Sequence, residues 1–143
     1  AALIRRRAVI ALFGALTTGT AWAANVPEAQ AAKARAVVQA QLDAFAVDDA
    51  RRAFLLATPS ARKHLGSPDN FINLVRKSYA VVYRPASVAF LKPQLIDGIL
   101  VLAVHMTDAQ GAAWLATYQL ERQPDGKLLI DGCELVANEG RYT

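Results

Sequence analysis

The chain predicts an α+β fold, with N-terminal helices packed on a curved antiparallel sheet of four or more strands. Three observations carry this. Between Gln39 and Tyr83 apolar residues recur at helical spacing in segments that each open on a start signal; from Tyr79 onward the period changes to two; and the breaks between the alternating segments are short and rich in Gly, Pro and Asp. The composition suits one core: 54% of the 143 residues are hydrophobic, with 8 Gly and 6 Pro, which excludes a disordered or low-complexity chain.

Residues 1–23 read as a secretory signal peptide. Arg5, Arg6 and Arg7 precede an apolar run from Ala8 to Leu16, and Ala21-Trp22-Ala23 supplies the small residues that signal peptidase requires. The cut is expected between Ala23 and Ala24, leaving 24–143 as a single α+β domain exported to the periplasm. The apolar run is shorter than the roughly 20 residues that span a bilayer and is followed by Thr17, Thr18 and Thr20, so no stable membrane anchor is expected after cleavage. No Ser or Thr precedes the arginines, which favours the general secretory route over the twin-arginine route. The absence of a Cys near the cut argues against a lipoprotein. The sequence lacks an initiator Met and is expected to begin slightly downstream of the true start.

Removing those three arginines from sixteen Lys and Arg leaves thirteen against twelve Asp and Glu, a near-neutral balance. The pairs Arg51-Arg52, Arg62-Lys63 and Arg76-Lys77 are not interleaved with aromatics, so no nucleic-acid partner is expected. Cys133, the one cysteine, permits no internal disulfide. Within LLIDGCELV it reads as a small buried hydrophobe, because a reactive thiol needs a cationic, exposed setting.

Glu28 to Val47 predicts one long helix with Val38, Leu42 and Phe45 on its core stripe. Asp48 and Asp49 end it and cap the next helix, Ala50 to Ala57. A metal or acid–base pair is the competing reading of the two aspartates, but carboxylates at a helix start are commonly caps. Thr58-Pro59 opens a turn that stops at Gly66, and Ser67-Pro68 opens a helix carrying Phe71, Leu74, Val75 and Tyr79; Pro in a first turn costs no hydrogen bond. His64, close to a helix end, suits the terminal carbonyls.

Strands are predicted at 86–91, 94–107 with a kink or turn at Asp97-Gly98, 112–122 and 127–136. Short connections, including Lys92-Pro93, make them antiparallel neighbours. The run 94–107 is apolar on both faces, as in a central strand. Gly132 breaks the alternation of the last strand, a usual place for a bulge. His105 shares a face with Val101 and Ala103. It is a weak candidate for proton transfer, since a lone His there more often has a structural role. His64, His105 and Cys133 form no ligand motif, so neither a metal nor a cofactor is expected, and no phosphate loop, nucleophile elbow or zinc-binding His-Glu-x-x-His helix occurs.

Helices followed by a bent antiparallel sheet resemble the cone-shaped fold of nuclear transport factor 2 and its relatives, including SnoaL-like cyclases and ketosteroid isomerases. QLDAF, DDARRAF, SPDNF, the Tyr79–Tyr83 region and GKLLIDGCEL, spanning about residues 30–137, resemble more closely a proteobacterial family known only as a domain of unknown function. Where such relatives carry Gly-x-Trp-x-Ile, this chain has Leu128 followed by Ile130. The enzymes of the wider fold use a carboxylate or His inside the cone, and no Asp or Glu here matches such a position, so the analogy stays at the level of fold.

The resemblance implies a cavity at the open end of the cone, with Phe71, Tyr79, Tyr83, Trp114 and Tyr118 as its lining; the competing reading has these rings filling the core. The expected function is that of an exported small-molecule-binding or accessory protein without evident catalytic machinery, its ligand apolar or amphipathic. One alternative is an isomerase or dehydratase using His105 as base and a tyrosine hydroxyl as donor to an oxyanion. Another is a homodimeric interaction module joined through the sheet.

Overall fold

The computed structural model describes residues 4–5 and 23–138. Two-residue strands β1 (Ile4–Arg5) and β2 (Ala23–Ala24) precede α1 (Glu28–Ala46), α2 (Ala50–Leu55), α3 (Pro59–Leu65), α4 (Pro68–Ser78) and α5 (Ala80–Tyr83), and then β3 (Ser87–Phe90), β4 (Gln94–Ile96), β5 (Ile99–Thr107), β6 (Ala113–Arg122) and β7 (Leu128–Ala137). The arrangement is α+β, with β3 to β7 forming an antiparallel sheet.

The helix starts are local devices. Asp49 Oδ1 accepts from the amide of Arg52, Thr58 Oγ1 from Ala61 and Ser67 Oγ from Asn70, each at 3.1 Å. Each bond satisfies a donor that a first helical turn leaves free. Gly66, at φ +89°, closes α3, and His64 Nδ1 lies 3.0 Å from the Ser60 carbonyl near that end. Along α1 the buried side is Ala31, Ala34, Val37, Val38, Gln41, Leu42, Ala44 and Phe45. Gln41 is tolerated there because its amide donates to the Ala53 carbonyl at 3.1 Å, which ties α2 to α1. From α4, Phe71, Ile72 and Val75 enter the core, and Phe71 meets Phe45 edge to face with ring centroids 5.5 Å apart. Each such buried side chain contributes roughly 1.5–3 kcal/mol.

Three expectations need correction, and a fourth is sharpened. The second helix stops at Leu55 rather than Ala57, because after the turn at Leu56 the chain runs along the edge of β7: Ile130 donates to the Leu56 carbonyl and Thr58 to the Ile130 carbonyl, both at 2.9 Å. Residues 80–83, expected to lead into strand, form the single turn α5, which tertiary packing of Val81 and Val82 holds despite their β-branched preference. Within the run 94–107 the expected kink or turn at Asp97-Gly98 is a turn, and the run is two strands. Asp97 (φ +52°) and Gly98 (φ +80°) make a two-residue hairpin, so β4 folds back on β5 with Leu95 opposite Leu100. Lys92-Pro93 does not reverse the chain, since β3 and β4 both run antiparallel to β5 along one of its edges. Pro lacks the amide that a central ladder needs and is accommodated at this break in an edge.

β5 is central, with β6 on one side and β3 and β4 on the other. Its residues Leu100, Leu102, Val104 and Met106 face the helices with Ala116, Tyr118 and Leu120 of β6 and Cys133 and Leu135 of β7. The register of β6 against β7 shifts by one at Asp131, between the pairs Gln119–Gly132 and Leu120–Ile130, placing a bulge beside Gly132. β1 pairs with Cys133 and Glu134, and β2 with Leu95 and Ile96. The expected cleavage bond, Ala23–Ala24, falls within β2; most of the expected signal segment lies outside the described residues.

Candidate functional site

The α4–α5 junction builds one wall of a cleft. At Tyr79 the chain leaves α4 with φ −137° and ψ 55°, its amide still bonded to the Val75 carbonyl at 2.9 Å, and re-enters helix at Ala80. This break brings Lys77, Tyr79, Val81, Tyr83 and Arg84 along one side. Trp114, from the start of β6, stands with Leu135 and the Asp108–Gln110 turn on the other. The enclosed volume is about 430 Å³, the size of a small organic molecule.

Both walls are held by charge-assisted bonds. Asp108 Oδ1 accepts from the amides of Gln110 (3.0 Å) and Ala112 (2.9 Å), and Oδ2 accepts from Nε1 of Trp114 (3.0 Å). The indole bond, with the amide of Ala112 next, holds the Asp108 carboxyl below its ordinary value. On the other wall the Tyr83 hydroxyl donates to Asp48 Oδ1, while Arg84 reaches Asp48 Oδ2 at 3.2 Å and Arg76 Nη2 lies 3.6 Å from Oδ1. The Tyr83 ring takes both guanidiniums over its π system, at 4.5 Å for Arg84 and 5.3 Å for Arg76. The Tyr83 bond, supported by the charges of Arg84 and Arg76, lowers the Asp48 carboxyl. Asp49 is the cap that the sequence suggests. Asp48 instead sits at φ +57° and is the anion around which this wall assembles, its oxygens facing Tyr83, Arg84 and Arg76 while Asp49 caps α2.

Of the expected lining residues, Tyr79, Tyr83 and Trp114 share this cleft. Phe71 and Tyr118 do not: at 2% and 1% exposed they fill the core between helices and sheet. The Tyr118 hydroxyl faces the directly opposed Cys133 thiol and has no nitrogen or oxygen partner among the described residues; burial raises its pKa well above the ordinary phenol value, and burial likewise pushes the Cys133 thiol up. His105 lies on the opposite face of the sheet from Trp114 and Tyr118, beside Ala89 and Leu115. Asn138 Nδ2 donates to its Nδ1 at 3.1 Å, in a depression of about 320 Å³ with Ser87 and Thr107. The structure therefore does not bring His105 together with the tyrosines of the cleft. Sequence reasoning missed Asp48, Arg76 and Arg84 as the frame of Tyr83. A non-glycine residue at positive φ has no dependable sequence signal, and Asp48 and Tyr83 are 35 positions apart.

Another depression, about 450 Å³, lies at the hairpin end between Gln30, Leu95, Gly98, Leu100, Leu120 and Leu128, and no aromatic ring stands among its described lining. No cluster of three or more His, Cys, Asp or Glu suited to a metal ion occurs among the described residues, and no helix among them is long and apolar enough to cross a membrane.

A family model described as "Domain of unknown function (DUF4864)" matches residues 27–143. No curated protein and no solved structure matches the chain.

Proposed function

The chain belongs to the DUF4864 family, a domain of unknown function, and since that membership brings no chemistry with it, we propose from its cleft that it is an exported, periplasmic small-molecule-binding or accessory protein. The observation that carries the reading is the convergence of Tyr79, Tyr83 and Trp114, from separate elements, on one cleft of about 430 Å³. Aromatic walls with a few fixed polar groups are what small-molecule sites use. Tyr83 and Trp114 are further held by Asp48 and Asp108, so binding would spend little on ordering them. Helices packed on one face of a bent antiparallel sheet support kinship with the cone of nuclear transport factor 2. Relationship to a proteobacterial family rests on the QLDAF, DDARRAF and SPDNF segments. Export rests on the arginine cluster, apolar run and Ala21-Trp22-Ala23 of the N-terminus.

The test is native mass spectrometry of the protein recovered from the periplasm of a Gram-negative host. The expected species starts at Ala24 and carries a small molecule. An empty monomer counts against binding, an empty dimer favours an interaction module, and retention of residues 1–23 in the cytoplasm counts against export.

A further inference from the structure

We propose that the cleft takes a small organic anion, a flat apolar body bearing one carboxylate or sulfonate, with the anionic group at the Lys77–Arg84 rim and the apolar body between Tyr79, Trp114 and Leu135. This deepens the binding reading above and rests on it.

The argument is one of charge. Among the described residues, three cations, Lys77, Arg76 and Arg84, stand on this wall with Tyr83 against a single carboxylate, Asp48, which already faces both guanidiniums. Lys77 has no ion pair among the described residues and is exposed at the cleft edge. Arg84 lines the cleft too, and its geometry is set beforehand: it stacks on Tyr83 at 4.5 Å, and its bonds to Asp48 and to the Tyr83 hydroxyl, both 3.2 Å, leave from Nη2 alone. Among the described residues its Nε and Nη1 hydrogens bond nothing else, and a guanidinium fork matches the two oxygens of a carboxylate or sulfonate.

The opposite rim offers a cationic ligand much less. Both oxygens of Asp108, the only acidic side chain among the described residues that line the cleft, are taken up by two amides and the indole of Trp114. Among the described residues, then, the free hydrogen-bonding capacity of charged groups in the cleft lies on cations. The floor between the rims is apolar, with Val81 and Leu135.

The probes are anilinonaphthalene sulfonate and neutral phenylnaphthylamine, which share an aromatic skeleton and differ in charge. They are titrated against the full chain carrying Trp22→Phe, so that Trp114 is the sole indole and its quenching locates the probe. The anionic probe is expected to quench Trp114 with at least about tenfold higher affinity than the neutral one, and to weaken as salt rises. Lys77→Gln and Arg84→Gln should each weaken the anion about threefold to tenfold, the span of a charge-assisted bond at a partly exposed rim, and Lys77→Gln should leave the neutral probe unchanged. Because Arg84→Gln also disturbs the Asp48 cluster, Lys77→Gln decides the matter if the arginine variant misfolds. Equal affinities for the two probes, or indifference of the anion to Lys77→Gln, overturn the anion preference and leave the binding reading standing. Quenching by neither probe overturns both.

Discussion

The carboxylate of Asp48 accepts the hydroxyl of Tyr83 across 35 positions of sequence and pins the turn after α1 to the end of α5. Arg76 and Arg84 close on the same carboxylate, so this bond holds one wall of the cleft in place. The cleft wall is therefore assembled by a surface cluster, whereas most of the fold is assembled by apolar burial.

Asp48→Asn isolates the charge, because Asn tolerates the left-handed backbone at φ +57°. The variant should melt lower than the parent at neutral pH, and less so at high salt. The folded carboxyl titrates below its unfolded value of about 3.9, so its contribution is fully present above that pH and is lost as pH falls through the depressed folded value. The gap in Tm between parent and variant should accordingly close below about pH 4. A gap that stays constant from pH 7 to pH 3 would show that charge is not the cause.

Thr58 is fully buried and makes two bonds through one oxygen, accepting from the Ala61 amide at 3.1 Å and donating to Asp131 Oδ1 at 2.7 Å. It joins the start of α3 to the bulge of β7. Thr58→Ala should cost about 1–3 kcal/mol in chemical denaturation, from the lost cap and the amide left without a partner. Thr58→Ser keeps the oxygen and should cost less than about 1 kcal/mol. Equal losses for the two variants would point to the methyl group rather than the hydroxyl.

Tyr118 presents the opposite case, a buried hydroxyl that faces only the weakly bonding Cys133 thiol and has no nitrogen or oxygen partner among the described residues. Removing an unsatisfied polar atom is neutral or favourable. Tyr118→Phe is therefore expected to leave stability unchanged or to raise it by up to about 1 kcal/mol. A loss greater than that would falsify the description of this hydroxyl as lacking a nitrogen or oxygen partner.

Cys133 is 4% exposed and sits among apolar neighbours that push its thiol up, away from the reactive thiolate. Iodoacetamide at pH 8 should leave it unmodified in the native state and alkylate it in denaturant. Ready labelling of the native protein would place the thiol at an accessible surface instead.

What was legible in the sequence was local. Asp49, Thr58 and Ser67 cap their helices because a short side chain three residues before a free amide can reach it whatever the rest of the chain does. The bulge beside Gly132 and the alternation of β6 are legible for the same reason. Asp97-Gly98 carries its turn signal in two residues, so a kink or turn is legible there; that it is a full reversal, with Ile96 paired to Ile99, depends on the apolar runs on both sides pairing with each other.

The sequence by itself determined the class of fold, the order of helices before strands, and the set of aromatic residues from which any cleft must be drawn. Only the tertiary structure decided which of those rings meet. Phe71 and Tyr118 carry the same kind of side chain as Tyr79, Tyr83 and Trp114, but burial against the sheet takes the first two into the core, and the break at Tyr79 with the Asp48 and Asp108 bonds turns the others toward the cleft. Caps and periods act over three or four residues and can be read along a chain. A cleft is made by residues such as Asp48 and Tyr83, whose proximity depends on how every intervening element packs.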